Sequence, residues 1–226
     1  MTRPFWVSIE GPEAAGKTHL SRCLVERLPS CRIVEELTDA EGEHVPAQVI
    51  AALASAGDPF LRTGHPLTET YALLALKTRE RERVTAMPNP PQIVLEDRGI
   101  DTVAIYQAAI LTGSGTDDTA WSTAGRIYAT AEVWCPLPDL TILLVDDLDI
   151  CAARWTVREG SPLTADQRQL VARATRLYHR LAVHQPDRVR VVDRTGRGET
   201  DVLDELDTLI RQSAGENGRK AHVATS

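Results

Sequence analysis

The segment Gly11-x-x-x-x-Gly16-Lys17-Thr18 constrains this chain more tightly than any other stretch. An apolar alternation (Phe5, Val7, Ile9) runs into it and a helical repeat (Leu20, Leu24, Leu28) leaves it, so it reads as strand, glycine loop, helix. Glycine lets the backbone curl until successive N–H groups point inward, and the helix N-terminus adds partial positive charge. The loop formed by Gly11, Pro12, Glu13, Ala14, Ala15 and Gly16 is therefore built to cradle phosphate. Lys17 reaches the β- and γ-phosphates of a nucleotide, and the Thr18 hydroxyl is placed to ligate Mg²⁺.

The rest of the chain supplies a sheet for that loop to sit on. Cys31–Glu36, Gln92–Glu96, Leu140–Val145 and Val189–Val192 read as further strands. Helical segments lie between them, at 47–56, 67–84, 101–111, 119–134, 148–158, 165–185 and 199–212. Strands alternating with helices give an α/β, P-loop NTPase-type three-layer fold: a five-stranded parallel sheet with helices on both faces, ligands at the carboxyl ends of the strands, and a short lid. One domain is expected over residues 1–212, with a lid at about 154–165. Residues 213–226, polar and glycine-bearing, read as a flexible C-terminal tail.

Bulk properties exclude several classes. Among 226 residues, 42% are apolar and 25% charged, as in a soluble globular protein. A formal net charge of −7 opposes broad attachment to nucleic acid or to an anionic membrane. Cys23, Cys31, Cys135 and Cys151 are scattered without zinc-like spacing, and no apolar run reaches the length of a membrane span. These features point to a reduced, cytoplasmic protein.

A carboxylate at the end of a second core strand is the partner a phosphate loop needs to hold the metal shell. Leu95-Glu96-Asp97-Arg98 offers it; Asp97 is the expected metal-linked group, and Glu96 takes over if the strand ends one residue earlier. Taken with Asp97-Arg98-x-x-Asp101-Thr102-x-x-x-Tyr106-Gln107 and Pro138-Asp139-Leu-Thr-Ile-Leu-Leu, the loop resembles the thymidylate kinase family over residues 5–212. The resemblance implies ATP and Mg²⁺, a nucleoside monophosphate acceptor and a homodimer. It also implies roles: Lys17 and the loop for ATP, Glu13 for the acceptor's 3′-hydroxyl, Arg98 as clamp on the acceptor phosphate, Tyr106 and Gln107 as pocket lining. Arg154 and Arg158 are similar to the arginines of the family's lid. With Ala14 and Ala15 in a loop that has no arginine, the transition-state cation is expected from that lid.

The departures concern the acceptor. Glu35-Glu36-Leu37-Thr38-Asp39-Ala40 stands where the family carries a Glu-Pro-Gly-Gly-Thr-like turn. Leu73 and Lys77 occupy the places of its thymine-stacking phenylalanine and carbonyl-binding arginine, and Gly99 replaces an aromatic or histidine. Leucine forgoes ring stacking worth about 1 kcal/mol, and lysine offers a point donor in place of a planar fork. Tyr71 is the ring on that helix that could compensate. The expected activity is phosphorylation of dTMP or a related pyrimidine monophosphate with relaxed base choice. The alternative is transfer to a hydroxyl of a nucleoside or other small metabolite, with Glu35 or Glu36 as general base.

Overall fold

The computed structural model of the chain describes residues 3–34 and 45–224, with side chains through 216. Five strands, β1 (Phe5–Glu10), β2 (Cys31–Val34), β3 (Ile93–Asp97), β4 (Leu140–Val145) and β5 (Val189–Asp193), form one parallel sheet in the order β2-β3-β1-β4-β5. The helices are α1 (Lys17–Arg27), α2 (Val45–Ala54), α3 (Pro66–Thr85), α4 (Ile100–Thr112), α5 (Asp117–Glu132), α6 (Leu148–Glu159), α7 (Ala165–His184) and α8 (Glu199–Ala224). The chain builds outward from β1 first to one side and then to the other. The carboxyl ends of β1, β3 and β4 therefore flank the crevice where such sheets take ligands.

Strand side chains alternate between faces, and the two faces differ in chemistry. Val7, Ile9, Leu95, Ile142 and Leu144 meet Leu20 and Leu24 of α1 and Val202, Leu206 and Ile210 of α8 in an apolar layer. The opposite face carries buried Ser8, Glu10, Glu96 and Thr141 beneath α3, α4 and α7. Burying such groups costs free energy unless each finds a partner. The polar face is thus the one on which a site is assembled, while the apolar face anchors α1 and the phosphate loop.

Local sequence sets several boundaries. Pro66 opens α3, where its missing N–H costs nothing. Thr164 and Gln167 form a reciprocal capping box on α7, and Gly160 ends α6 with φ +72°. One boundary differs from the sequence expectation. The last helix continues past residue 212 to Ala224, because Ala214 still reaches the α1–α8 apolar layer one turn beyond Ile210. The second strand is described through Val34; Glu35 and Glu36, expected to complete it, lie outside the described residues.

Candidate active site

The loop between β1 and α1 holds its shape through close backbone packing. A Cβ on Gly11 would collide with the carbonyl oxygen of Leu144, and Gly11 sits at φ +138°, so no other residue fits. Gly16 (φ +91°) hands the chain into α1, and a Cβ there would strike the Arg194 guanidinium. Arg194 Nη1 in turn donates to the Ala15 carbonyl at 2.6 Å, bracing the loop from the β5 side. Lys17 is buried, with Nζ 2.7 Å from the Pro12 carbonyl and 3.2 Å from that of Gly11. The first turn of α1 contains no acidic residue, which leaves its N-terminal field open to an anion. Thr18 is half-buried in that turn.

At the end of β3 two neighbouring carboxylates go opposite ways. Asp97 pairs in register with Ile9 and lies on the α1 face; it is fully buried, and neither carboxylate oxygen has a hydrogen-bond partner among the described residues. Glu96 points to the α3 face, where its Oε1 lies 3.3 Å from Lys77 Nζ. Lys77 also donates to Glu80 Oε2 at 3.1 Å. Burial disfavours charge on both partners, yet the two carboxylates outweigh it and push the Lys77 ammonium up, whereas burial prevails over Lys77 and raises Glu96.

Arg98 adopts φ +60°, a region that side-chain-bearing residues rarely occupy, and is buried. Its Nη2 forms an ion pair with Glu13 Oε2, and its guanidinium lies 5.9 Å from the Tyr106 ring centre. Burial raises the Glu13 carboxyl, but Arg98, Lys17 and Arg158 together hold it below the ordinary glutamate range. Glu13 therefore stands as an anion between the phosphate loop and a cavity of about 560 Å³. Leu73, Lys77, Arg98, Tyr106 and Gln107 all line that cavity, together with Phe60, Gly99 and Thr102. A side chain at position 99 would meet Ser8 Oγ at 2.5 Å and Glu96 Oε2 at 2.7 Å, so Gly99 is demanded by the floor of the pocket. Thr70 Oγ1, which donates to the Pro66 carbonyl at 2.7 Å, also lies 3.1 Å from the Gln107 side-chain amide.

The sequence reading missed Phe60. It followed the Asp58-Pro59 turn and was read only as loop, yet it is buried and stacks on Tyr106 at 5.9 Å and on Trp155 at 6.0 Å. The signal was available: two large apolar residues, Phe60 and Leu61, placed directly after a turn must cover something. Tyr71, the ring considered in its place, is exposed and does not line the cavity.

Behind the pocket two buried carboxylates hold the start of α4. Glu10 accepts from Ser8 Oγ (2.6 Å), Gly99 N (2.8 Å), Tyr178 OH (2.9 Å) and the Thr102 hydroxyl. Burial, with the Asp101 charge nearby, raises it against those donors. Asp101 receives both arms of the Arg188 fork at 2.8 and 2.9 Å, along with Thr141 Oγ1 (2.6 Å) and Tyr128 OH (2.8 Å). Burial pushes Asp101 up, but Arg188 and these donors hold it below the ordinary aspartate range.

Arg154 and Arg158, the arginines expected of a lid, occupy different surroundings. Arg154 Nη1 donates to Asp146 Oδ2 at 2.5 Å, and Asp146 also lies 3.3 Å from Arg194, the brace on the loop. Arg158 sits over the Trp155 ring at 5.0 Å and contributes to the field on Glu13. A second cavity of about 620 Å³ opens between α6 and α7 and shares Glu13 as a wall. No helix among the described residues is long and apolar enough to cross a membrane.

Comparisons with known proteins bear on the family and the fold. The family model described as Thymidylate kinase matches residues 9–205. A thymidylate kinase of Thermomicrobium roseum is 31% identical over 194 residues, spanning 84% of this chain and 87% of that protein. One from Leuconostoc mesenteroides is 27% identical over 219 residues, 94% and 97% of the two chains. Among solved structures, the thymidylate kinase of Candida albicans, described for its broad substrate specificity, superposes with a TM-score of 0.67 at 16% identity over 96% of this chain and 93% of that one. The enzyme of Ehrlichia chaffeensis gives a TM-score of 0.62 at 19% identity, over 93% and 99%. These two share the P-loop NTPase fold seen here.

Proposed function

The chain belongs to the thymidylate kinase family and is a phosphotransferase, and from that premise we propose that it transfers the γ-phosphoryl group of ATP to dTMP or a related pyrimidine monophosphate. The observation that carries the reading is the buried Arg98–Glu13 pair at the boundary between phosphate loop and cavity. A planar guanidinium there is matched to a phosphate already present on the acceptor. An unphosphorylated nucleoside would leave it without that partner.

In this reading the loop N–H groups and Lys17 hold the ATP phosphates, and an acceptor phosphate oxygen, oriented by Arg98, attacks the γ-phosphorus as its bond to the β–γ bridging oxygen breaks. The attacking oxygen carries no proton, so no general base is needed. Charge spreads over the equatorial oxygens in the transition state, where Lys17 and the lid arginines Arg154 and Arg158 act. Glu13 faces the sugar, Tyr106, Gln107 and Phe60 enclose the base, and Leu73 and Lys77 contribute the wall that departs from the family pattern. The residues present fit Mg²⁺: two buried oxygens of Asp97, without a hydrogen-bond partner among the described residues and on the face that carries Thr18, are hard-cation donors. Bound there, the ion would neutralise charge on the transferring group.

With Lys77 committed to Glu96 and Glu80, its donor strength toward a base carbonyl is reduced, which supports relaxed base choice. The lid is taken as residues 154–165 of a kinase domain covering 1–212 and continued by the rest of α8, and the protein as a cytoplasmic homodimer. A coupled ADP-release screen over nucleosides and their monophosphates tests the reading. We expect turnover with dTMP. Turnover of unphosphorylated nucleosides alone, abolished by Glu35→Gln or Glu36→Gln, would replace it with hydroxyl phosphorylation.

A further inference from the structure

One residue beyond Thr18, the exposed side of α1 meets the first residue of α8. His19 and Cys23 are four residues apart and so stand on one face of α1. Glu199 opens α8 beside them. His19 Nε2 lies 3.0 Å from Glu199 Oε1 and 3.8 Å from Cys23 Sγ, and the three donor atoms all fall within 4.8 Å of one another. Tetrahedral zinc, with bonds of about 2.0–2.3 Å, places its ligand atoms about 3.3–3.7 Å apart. The observed spacings bracket that range, and small rotations of the exposed His19 and Glu199 side chains and of the half-buried Cys23 would meet it. His19 and Glu199 are more than half exposed, so an ion can enter.

We propose that His19, Cys23 and Glu199 form a binding site for a zinc-type divalent transition ion, with water completing the coordination. An imidazole, a thiol sulfur and a carboxylate form a borderline-soft donor set that selects such an ion over Mg²⁺, which takes oxygen ligands. The site is thus chemically distinct from the Asp97–Thr18 pair. Cys23 binds as thiolate, its proton passing to solvent as the sulfur–metal bond forms. The ion would join α1 to α8 at the point where the segment carrying Arg194, the brace on the Ala15 carbonyl, enters α8.

The test is Co²⁺ titration of the nucleotide-free full chain, since ATP would itself chelate the metal. We expect saturable one-to-one binding with a thiolate-to-cobalt charge-transfer band in the near ultraviolet. Excess Zn²⁺ should displace the Co²⁺ and excess Mg²⁺ should not. Cys23→Ser should abolish the band, and His19→Ala and Glu199→Gln should each weaken Co²⁺ binding about tenfold or more. Zn²⁺ should also raise Tm for the parent and not for His19→Ala. All three variants replace surface or half-buried side chains, and circular dichroism checks that they fold. A band that is absent in the parent, that survives Cys23→Ser, or whose titration is unchanged in His19→Ala would overturn the site and leave His19–Glu199 a plain surface ion pair.

Discussion

Replacing Arg188 by methionine isolates the energetics of the buried network behind the cavity lined by Glu13 and Arg98. Arg188 is largely buried and gives both arms of its guanidinium to Asp101, which is fully enclosed. Methionine fills most of the space but removes the cation, leaving Asp101 with the Thr141 and Tyr128 hydroxyls alone. Breaking a buried pair from one side costs about 3–5 kcal/mol, because the remaining charge is desolvated without compensation. The sign of the pH dependence follows. In the parent the Asp101 carboxyl is depressed, so its contribution is present above the unfolded aspartate value and is lost as pH falls through the folded one. In Arg188→Met only the two hydroxyls still oppose burial, so that carboxyl rises relative to the parent, and the deficit is largest at neutral pH and shrinks as acid protonates it. Urea unfolding of parent and variant at about pH 7 and about pH 5 measures both effects. Adding Asp101→Asn to Arg188→Met should recover most of the loss. A deficit below about 1 kcal/mol at neutral pH, or one that does not change with pH, would refute the reasoning.

Three further perturbations address the chemistry. Lys17→Ala should lower kcat about a thousandfold at saturating ATP while far-ultraviolet circular dichroism stays unchanged; near-normal turnover would remove the loop from the mechanism. Arg154→Ala and Arg158→Ala should each reduce kcat more than they raise the acceptor KM, since lid cations act as charge develops; steady-state kinetics with both substrates varied separates the two effects. Phe60→Leu keeps an apolar wall but removes the ring stacked on Tyr106, and should raise the acceptor KM about fivefold, the equivalent of about 1 kcal/mol; an unchanged KM would place the base elsewhere in the cavity.

The parts of the fold that were legible in the sequence are those written in contiguous residues. The phosphate loop declares itself because strand, glycines, lysine and helix follow one another, and every other strand announces itself through an apolar run bounded by turns. Asp97 and Arg98 could be singled out from their place at a strand end. What stayed hidden depends on which strand lies beside which. Nothing in the spacing of Lys77 and Glu96 says that they pair, because the contact exists only once α3 lies over β3. Read alone, Lys77 appeared as a donor free for the base; in the folded chain it is claimed by two carboxylates. Phe60 was missed for a related reason: its partners Tyr106 and Trp155 are far along the chain and impose no local periodicity. Gly99, read as the loss of a ring, is better described as a position where Ser8 and Glu96 leave no room for one.

The carboxylate of Glu10 has a bearing on the order in which the enzyme is assembled. Helix α4 has no side-chain cap from its own neighbourhood; its first turn is closed by Glu10, which lies 89 residues earlier than the Gly99 N–H it binds. That turn is thus a non-local contact, costly in loop-closure entropy until β1 and β3 have paired. The helix after the phosphate loop carries no such debt, since its strand, loop and first turn are contiguous. Arg98 sits at the late-forming junction. A nascent or partly opened chain would therefore acquire its phosphate loop before the Arg98 junction, and under mild denaturation amide exchange near residues 99–103 should outpace that of α1.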